Sequence, residues 1–336
     1  MSLPLLFKGQ TLSADQAQAF FAEMAAGRLE PVELAAALTA MKIRGETSEE
    51  LQGLAQALLA AANPFPRPHG DIVDCCGTGG DGANTLNIST TAAFVAAAAG
   101  VKVAKHGNRA VSSQSGSTDV LGALGIPVQV PPPLALRALE QANLCFLAAP
   151  QYHPGIAHAM PVRKALKTRT LFNLVGPLVN PARPNFQLMG VYDPALLEMV
   201  AQALLALGVE RGLVVHGSGL DELALHGPTQ VVEIRDGALI HYQLTPEDLD
   251  LTPATLDQLA GGDAAFNARA LEKLLARGEP GPYFDAVAAN AGALLYLADL
   301  THTLKEGVAK AGDIIRSGQA QATLNLLKEI LRGDSA

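Results

Sequence analysis

The chain is 336 residues long, 49% hydrophobic and 17% charged with no Trp, enough to bury a large core in one domain or two. Lys+Arg 24 against Asp+Glu 32 leave a net charge of −8, which excludes the broad basic face of a general nucleic-acid binder but leaves room for a pocket that takes a small anion. No basic leader followed by an apolar core opens the chain, and its longest apolar stretch, 92–101, is mostly Ala and too short to span a bilayer, so a cytoplasmic protein with no membrane contact is expected.

The opening 62 residues have the pattern of helices. Ser13 with Gln16 makes a capping box ahead of an Ala/Phe-rich segment that stops near Gly27. Pro31 stands at a first helical position before 32–43, and Gly45 ends that helix. Thr47 with Glu50 is a second capping box, opening a helix through Ala62. Pro64, Pro66 and Pro68 then forbid further helix, so 63–70 is a linker and a domain boundary.

Beyond the linker, short apolar runs alternate with helical patterns: 72–76, 101–104, 145–148 and 213–215. Runs of this length separated by helices predict parallel strands joined by crossovers, hence an α/β fold. Cys75, Cys76 and Cys145 are odd in number, with two adjacent, which suits buried reduced thiols better than a disulfide framework or a zinc site.

Polar clusters follow every one of these runs. The first leads into Gly77-Thr78-Gly79-Gly80-Asp81-Gly82, the second into Lys105-His106-Gly107-Asn108-Arg109, the third into 149–153, and the fourth into His216-Gly217 and the acidic pair Asp221-Glu222. In a parallel sheet the carboxyl ends of the strands share one edge, where such folds bind ligands, so the four segments are expected to meet in one cleft. Glycines let backbone N–H groups face an anion, and Ser89 or Thr90 is a natural cap for the helix over 91–99, whose positive end suits a phosphate. Ser112, Ser113 and Ser117 lie at a second helix start over 120–124, with Lys105 and Arg109 adding charge for a polyanion. His106 could act as an acid/base, although packing or donation to phosphate is the simpler role. Two adjacent carboxylates in such a cleft suit Mg²⁺, which takes a few carboxylates plus substrate oxygens. Gly77, Gly79 and Gly82 also fit the dinucleotide fingerprint, but the helix starts too late and the next strand ends in Lys105-His106 instead of an acid.

Taken together, GTGGD (77–81), NIST (87–90), KHGNRAVSS (105–113) with SGS (115–117), HP…PVR (153–163), RTLFNLVGPLVNPARPN (169–185), GVYDP (190–194) and HG…GLDE (216–222) resemble the anthranilate phosphoribosyltransferase family. GGD (261–263) with Asn267-Ala268, and Asn290-Ala291, carry the similarity into the last quarter. The resemblance implies a small helical domain plus a larger α/β domain with a mainly parallel central sheet. The helical domain would be 1–66, with 164–190 rejoining it, and the α/β domain 71–163 and 191–336. It further implies transfer of the 5-phosphoribosyl group from phosphoribosyl diphosphate (PRPP) to the amine of anthranilate in tryptophan biosynthesis.

On that resemblance Gly77, Gly80, Asp81, Thr85, Asn87, Ile88, Ser89, Thr90, Lys105, His106, Gly107, Asn108, Arg109, Ala110, Val111, Ser112, Ser113 and Ser117 would hold PRPP. Ser89, Asp221 and Glu222 would bind two Mg²⁺ per subunit, and Gly77, Asn108 and Arg163 would receive anthranilate, Arg163 countering its carboxylate. A homodimer through the helical part is implied, while association with an anthranilate synthase amidotransferase is left open. No residue is expected to act as a nucleophile. The chain departs from the family pattern in a shortened acidic loop (HGSGLDE), in Cys75-Cys76, and in Gly155-Ile156-Ala157 after His153-Pro154. A pyrimidine nucleoside phosphorylase and a nucleic-acid-binding relative of the same fold are the alternatives.

Overall fold

The computed structural model describes residues 2–108 and 114–333. Four helices open the chain: α1 (Ser2–Leu6), α2 (Ala14–Ala25), α3 (Pro31–Arg44) and α4 (Ser48–Ala60). Both expected capping boxes form, with Gln16 N–H donating to Ser13 Oγ at 3.3 Å and Glu50 N–H to Thr47 Oγ1 at 3.3 Å. Glu50 is fully buried, yet its carboxylate also accepts from Leu12 N–H at 3.1 Å and pairs with Arg44. A buried charge is tolerated only when satisfied in this way, so Glu50 ties the start of α2 to α3 and α4.

Among the described residues seven strands form one sheet in the order β3-β2-β1-β4-β5-β6-β7. β1 (Val73–Cys75), β2 (Val103–Gly107), β3 (Leu144–Ala148), β4 (Phe186–Gly190) and β5 (Arg211–Gly217) are parallel. β6 (Thr229–Arg235) and β7 (Ala238–Leu244) continue it as an antiparallel hairpin. Asp236 and Gly237, both left-handed at φ 54° and 72°, make its two-residue turn.

Two expected boundaries move. Lys105, His106 and Gly107 belong to β2 instead of the loop after it, because their backbone pairs in register with Phe146, Leu147 and Ala148 of β3. The segment 164–190 divides. Leu171, Phe172, Leu174, Val175, Leu178 and Val179 share a core with α1–α4, whereas 186–190 is β4, paired on both sides within the sheet.

Both faces of the parallel sheet are covered, as buried strands require. One face carries α5 (Ile88–Ala98) and the C-terminal helices Pro282–Leu297, Leu304–Ser317 and Gln319–Arg332. The other carries the opening helices, the segment 171–179 and the helix Leu197–Ala206. From β1 the chain adds β2 and β3 on one side and β4 and β5 on the other. The order therefore reverses between β1 and β4, and a crevice opens outside the carboxyl ends of those two strands.

Candidate functional site

That crevice is where the glycine loop and the acidic pair meet. Thr78 N–H donates to Gly190 O at 2.9 Å, so the chain leaving β1 stays against the end of β4. Into the gap comes Asp221, whose Oδ2 accepts from Gly79 N–H at 2.6 Å. A Cβ on Gly77 would collide with the Asp221 carboxylate, and one on Gly190 with the Asp221 carbonyl, so no larger residue fits either position. Gly79, Gly80 and Gly82 have φ of 65°, 78° and 78°, the left-handed region in which glycine is at ease. The N–H groups of Gly80, Asp81 and Gly82 donate to nothing among the described residues. Consecutive free N–H groups of this kind form an anion-binding concavity.

The shortened HGSGLDE loop takes a tight path. Ser218 and Gly219, at φ 50° and 102°, turn the chain, and Gly217 and Leu220 exchange bonds of 2.9 and 3.0 Å across them. His216, buried in β5, braces the turn by accepting from Gly219 N–H at 3.1 Å through Nε2, while its Nδ1 donates to Val191 O at 2.8 Å. Asn290, fully buried in Pro282–Leu297, accepts from Leu223 N–H at 3.1 Å and fixes the far end of the loop.

Glu222 faces the start of α5. Its Oε1 accepts from Ser89 N–H at 3.1 Å, while Lys105 donates to Ser89 Oγ at 3.2 Å and to Cys75 O. The helix begins at Ile88 with Asn87 as its N-cap, so Ser89 and Thr90 stand inside the first turn and neither is the cap. Asn87 is itself held, accepting from Asn267 Nδ2 at 2.8 Å and donating to Ser115 O at 3.3 Å. Thr85 forms an isolated antiparallel bridge with Ala260. Thus Leu259, Ala260 and Asn267, which flank the motif residues 261–263, secure the segment 85–87 from behind.

Too much negative charge is gathered here. Burial, then repulsion from Asp81 and Glu222, pushes the Asp221 carboxyl well above the ordinary carboxylate range. Burial likewise raises Glu222 from 4.5 to about 7, with Lys105 opposing the shift. Burial alone would lower the Lys105 ammonium, but the neighbouring Cys75 and Cys76, and after them Asp74 and Glu222, hold its pKa above the usual lysine value. An all-oxygen donor set carrying surplus charge suits a hard divalent cation. Among the described residues no three acidic, His or Cys side chains form a ready-made metal cage, so ligand oxygens would have to complete the coordination.

Two more expected residues lie further along the edge. Asn108 follows β2, and its carbonyl accepts from Ser117 Oγ and Thr118 N–H, both at 3.3 Å. With Thr118, Val128, Ala148 and Pro150 it lines a cavity of about 290 Å³. Ser117 opens the helix Ser117–Ala123. Arg163, in the helix Met160–Leu166, is partly buried with its guanidinium 5.4 Å from the Phe172 ring centre, and it pairs with no carboxylate among the described residues. Arg109, Ala110, Val111, Ser112 and Ser113 lie outside the described residues.

His106 is buried, its Nδ1 donating to Gly176 O at 2.9 Å and its ring edge-on to His153 at 5.3 Å. Burial, and then His153, push its pKa down to about 3, so it is neutral at pH 7 and structural in its contacts. Three further residues were given no role from the sequence, although Arg169 and Tyr192 stand in the motifs 169–185 and 190–194. Asp74 sits within β1, accepting from Asn180 Nδ2 at 2.8 Å and from His106 N–H at 3.3 Å. An acid inside an apolar run was its one available signal. Arg169 and Tyr192, the others, close over the glycine loop.

The sequence matches the helical bundle domain of the glycosyl transferase family over residues 4–62 and the a/b domain of that family over 69–321. It is 53% identical over 332 residues to an anthranilate phosphoribosyltransferase from Shewanella sp., covering 98% of this chain and 96% of that one. A second, from Idiomarina loihiensis, is 54% identical over 318 residues, covering 95% and 94%. Among solved structures, the anthranilate phosphoribosyltransferase of Thermus thermophilus superimposes with a TM-score of 0.94 at 44% identity, covering 98% of this chain and 99% of that one. The Saccharomyces cerevisiae enzyme in complex with PRPP and Mg gives 0.88 at 30% identity, covering 96% and 94%. The yeast enzyme in complex with 4-fluoroanthranilate gives 0.86 at 29% identity, again covering 96% and 94%. These names lend nothing to a nucleoside phosphorylase or a nucleic-acid-binding relative.

Proposed function

The chain belongs to the anthranilate phosphoribosyltransferase family, and from that premise we propose that the crevice between β1 and β4 carries out its phosphoribosyl transfer. The donor is PRPP, the acceptor is the amine of anthranilate, and the products are N-(5-phosphoribosyl)anthranilate and diphosphate. One observation carries the reading. A single short loop delivers Asp221 to the glycine-loop N–H of Gly79 and Glu222 to the first turn of α5 at Ser89.

In this reading the free N–H groups of Gly80, Asp81 and Gly82 receive the diphosphate, and the segment Asn87–Thr90 lies along the ribose. Ser89, Asp221 and Glu222 would hold two Mg²⁺ per subunit together with diphosphate oxygens. Bound Mg²⁺ supplies charge neutralisation for the departing diphosphate. Asn108 and Arg163 orient anthranilate, and the absence of a carboxylate partner among the described residues leaves Arg163 ready for that of the acceptor. An aromatic amine is neutral at pH 7 and attacks without prior deprotonation, so the residues act by positioning and by electrostatics, with no protein nucleophile.

Homodimer formation through the helical part is supported by three exposed apolar side chains there, Phe7, Val32 and Ile43. The division into two units is retained, with the return segment ending before β4. A cytoplasmic location accords with the absence, among the described residues, of any helix long and apolar enough to cross a membrane. The direct test is loss of anthranilate fluorescence on adding PRPP and Mg²⁺. No loss with all three present removes the proposal.

A further inference from the structure

Arg169 takes no part in the roles assigned so far. It is exposed and stands just before the turn Leu171–Asn173, whose Leu171 and Phe172 are anchored in the core shared with the opening helices. Its side chain leaves that core and reaches the glycine loop, where its guanidinium donates to Gly80 O. The same guanidinium lies 4.0 Å from the centre of the Tyr192 ring, a cation–π contact that limits where the fork can point. Tyr192 grips the loop independently, its N–H donating to Thr78 Oγ1 at 3.2 Å. Two elements far apart in sequence therefore bracket one glycine-rich turn.

The bracket matters because of what that turn must present. With three glycines in left-handed backbone, the loop has unusual freedom to rotate its peptide groups. The Gly80–Asp81 peptide is trans, so the Gly80 carbonyl and the Asp81 N–H point in opposite directions. Holding the carbonyl on Arg169 turns the Asp81 N–H away from Arg169, and that N–H has no protein partner among the described residues. Without Arg169 the same peptide could flip and present a carbonyl, which repels a phosphate.

We propose that Arg169 is a positioning residue for the phosphorylated donor: acting through the Gly80 carbonyl, it fixes the peptide group whose N–H receives the diphosphate. The inference rests on the donor site lying at this loop. The test is steady-state kinetics of the parent enzyme, Arg169→Ala, Arg169→Lys and Tyr192→Phe with Mg²⁺ saturating, alongside thermal unfolding of each. Arg169→Ala is expected to raise KM for PRPP about tenfold, the scale of one charge-assisted hydrogen bond, while KM for anthranilate stays within about twofold. Arg169→Lys recovers part of the loss, since an ammonium donates but does not stack as a planar fork. Tyr192→Phe keeps the ring and behaves as the parent. A folded Arg169→Ala with the parent KM for PRPP overturns the proposal, as does an equal rise in both KM values, which would mark a general structural defect. A parent protein that neither turns over nor binds PRPP overturns the donor reading beneath it instead.

Discussion

Glu222→Gln separates the stability of the empty protein from its activity. The folded protein raises this carboxyl from 4.5 to about 7, chiefly through burial, so the folded state holds its proton more tightly than the unfolded chain does. For an acid shifted upward, the contribution to stability is complete below pH 4.5 and is lost as pH rises through about 7. The full shift corresponds to roughly 3 kcal/mol at about 1.4 kcal/mol per pKa unit. Because part of the Glu222 side chain reaches solvent, screening reduces this to about 1–2 kcal/mol. Glutamine keeps an oxygen to accept from Ser89 N–H and carries no charge. Glu222→Gln without ligands should therefore exceed the parent in stability at pH 8 by about 1–2 kcal/mol, seen as a higher urea midpoint, and match it at pH 4.5. The same variant should lose most of its Mg²⁺-dependent turnover. A variant less stable than the parent at pH 8, or a difference independent of pH, would refute the claim that the acidic pair is held under electrostatic strain.

Arg163→Ala should raise KM for anthranilate by tenfold or more while KM for PRPP changes by less than about twofold, on the scale of losing one charge-assisted pair; equal effects on both substrates would remove Arg163 from the acceptor site. Replacing Asp221 with Asn and Glu222 with Gln together should abolish the response of turnover to Mg²⁺, and an unchanged Mg²⁺ titration would reduce the pair to an ordinary loop. Asn180→Ala strips buried Asp74 of its side-chain donor and frees Ala104 O, which also accepts from Asn180 at 2.7 Å. That loss should cost about 2–3 kcal/mol in urea unfolding. If the proposed homodimer forms through the helical part, Ile43→Asp, at a side chain 83% exposed, should leave each subunit folded but shift light scattering from dimer to monomer; a parent that is already monomeric, or a variant of unchanged mass, would remove this interface.

Much of the fold is legible where the decisive interactions are local. The capping boxes at Ser13 and Thr47 pair a side chain with a backbone three residues on, so sequence spacing alone reveals them. The parallel strands β1, β2, β3 and β5 announce themselves as apolar runs between helices. β4 does not, because Phe186–Gly190 lies amid prolines and its pairing is decided by strands on either side. The β6–β7 hairpin carried a readable sign in Asp236-Gly237, the pair that a two-residue turn favours.

Within the candidate site, the convergence of the glycine loop and the acidic pair follows from strand order, which explains why the runs and their trailing loops were informative. What spacing cannot supply is the long-range contact. Ser89 looked like a cap, yet its N–H is committed to Glu222, a residue 133 positions away, and the cap falls to Asn87. Lys105 and His106 looked like loop residues; β-pairing with Phe146 and Leu147 buries both. The Arg169 contact with Gly80 spans 89 positions and leaves no local trace.

The place where PRPP and Mg²⁺ bind is decisive. A crystal structure of the chain with both is predicted to show diphosphate oxygens on the N–H groups of Gly80, Asp81 and Gly82, with metal bound by Asp221 and Glu222. Diphosphate at the opposite, amino-terminal edge of the sheet, or metal away from both carboxylates, would contradict it.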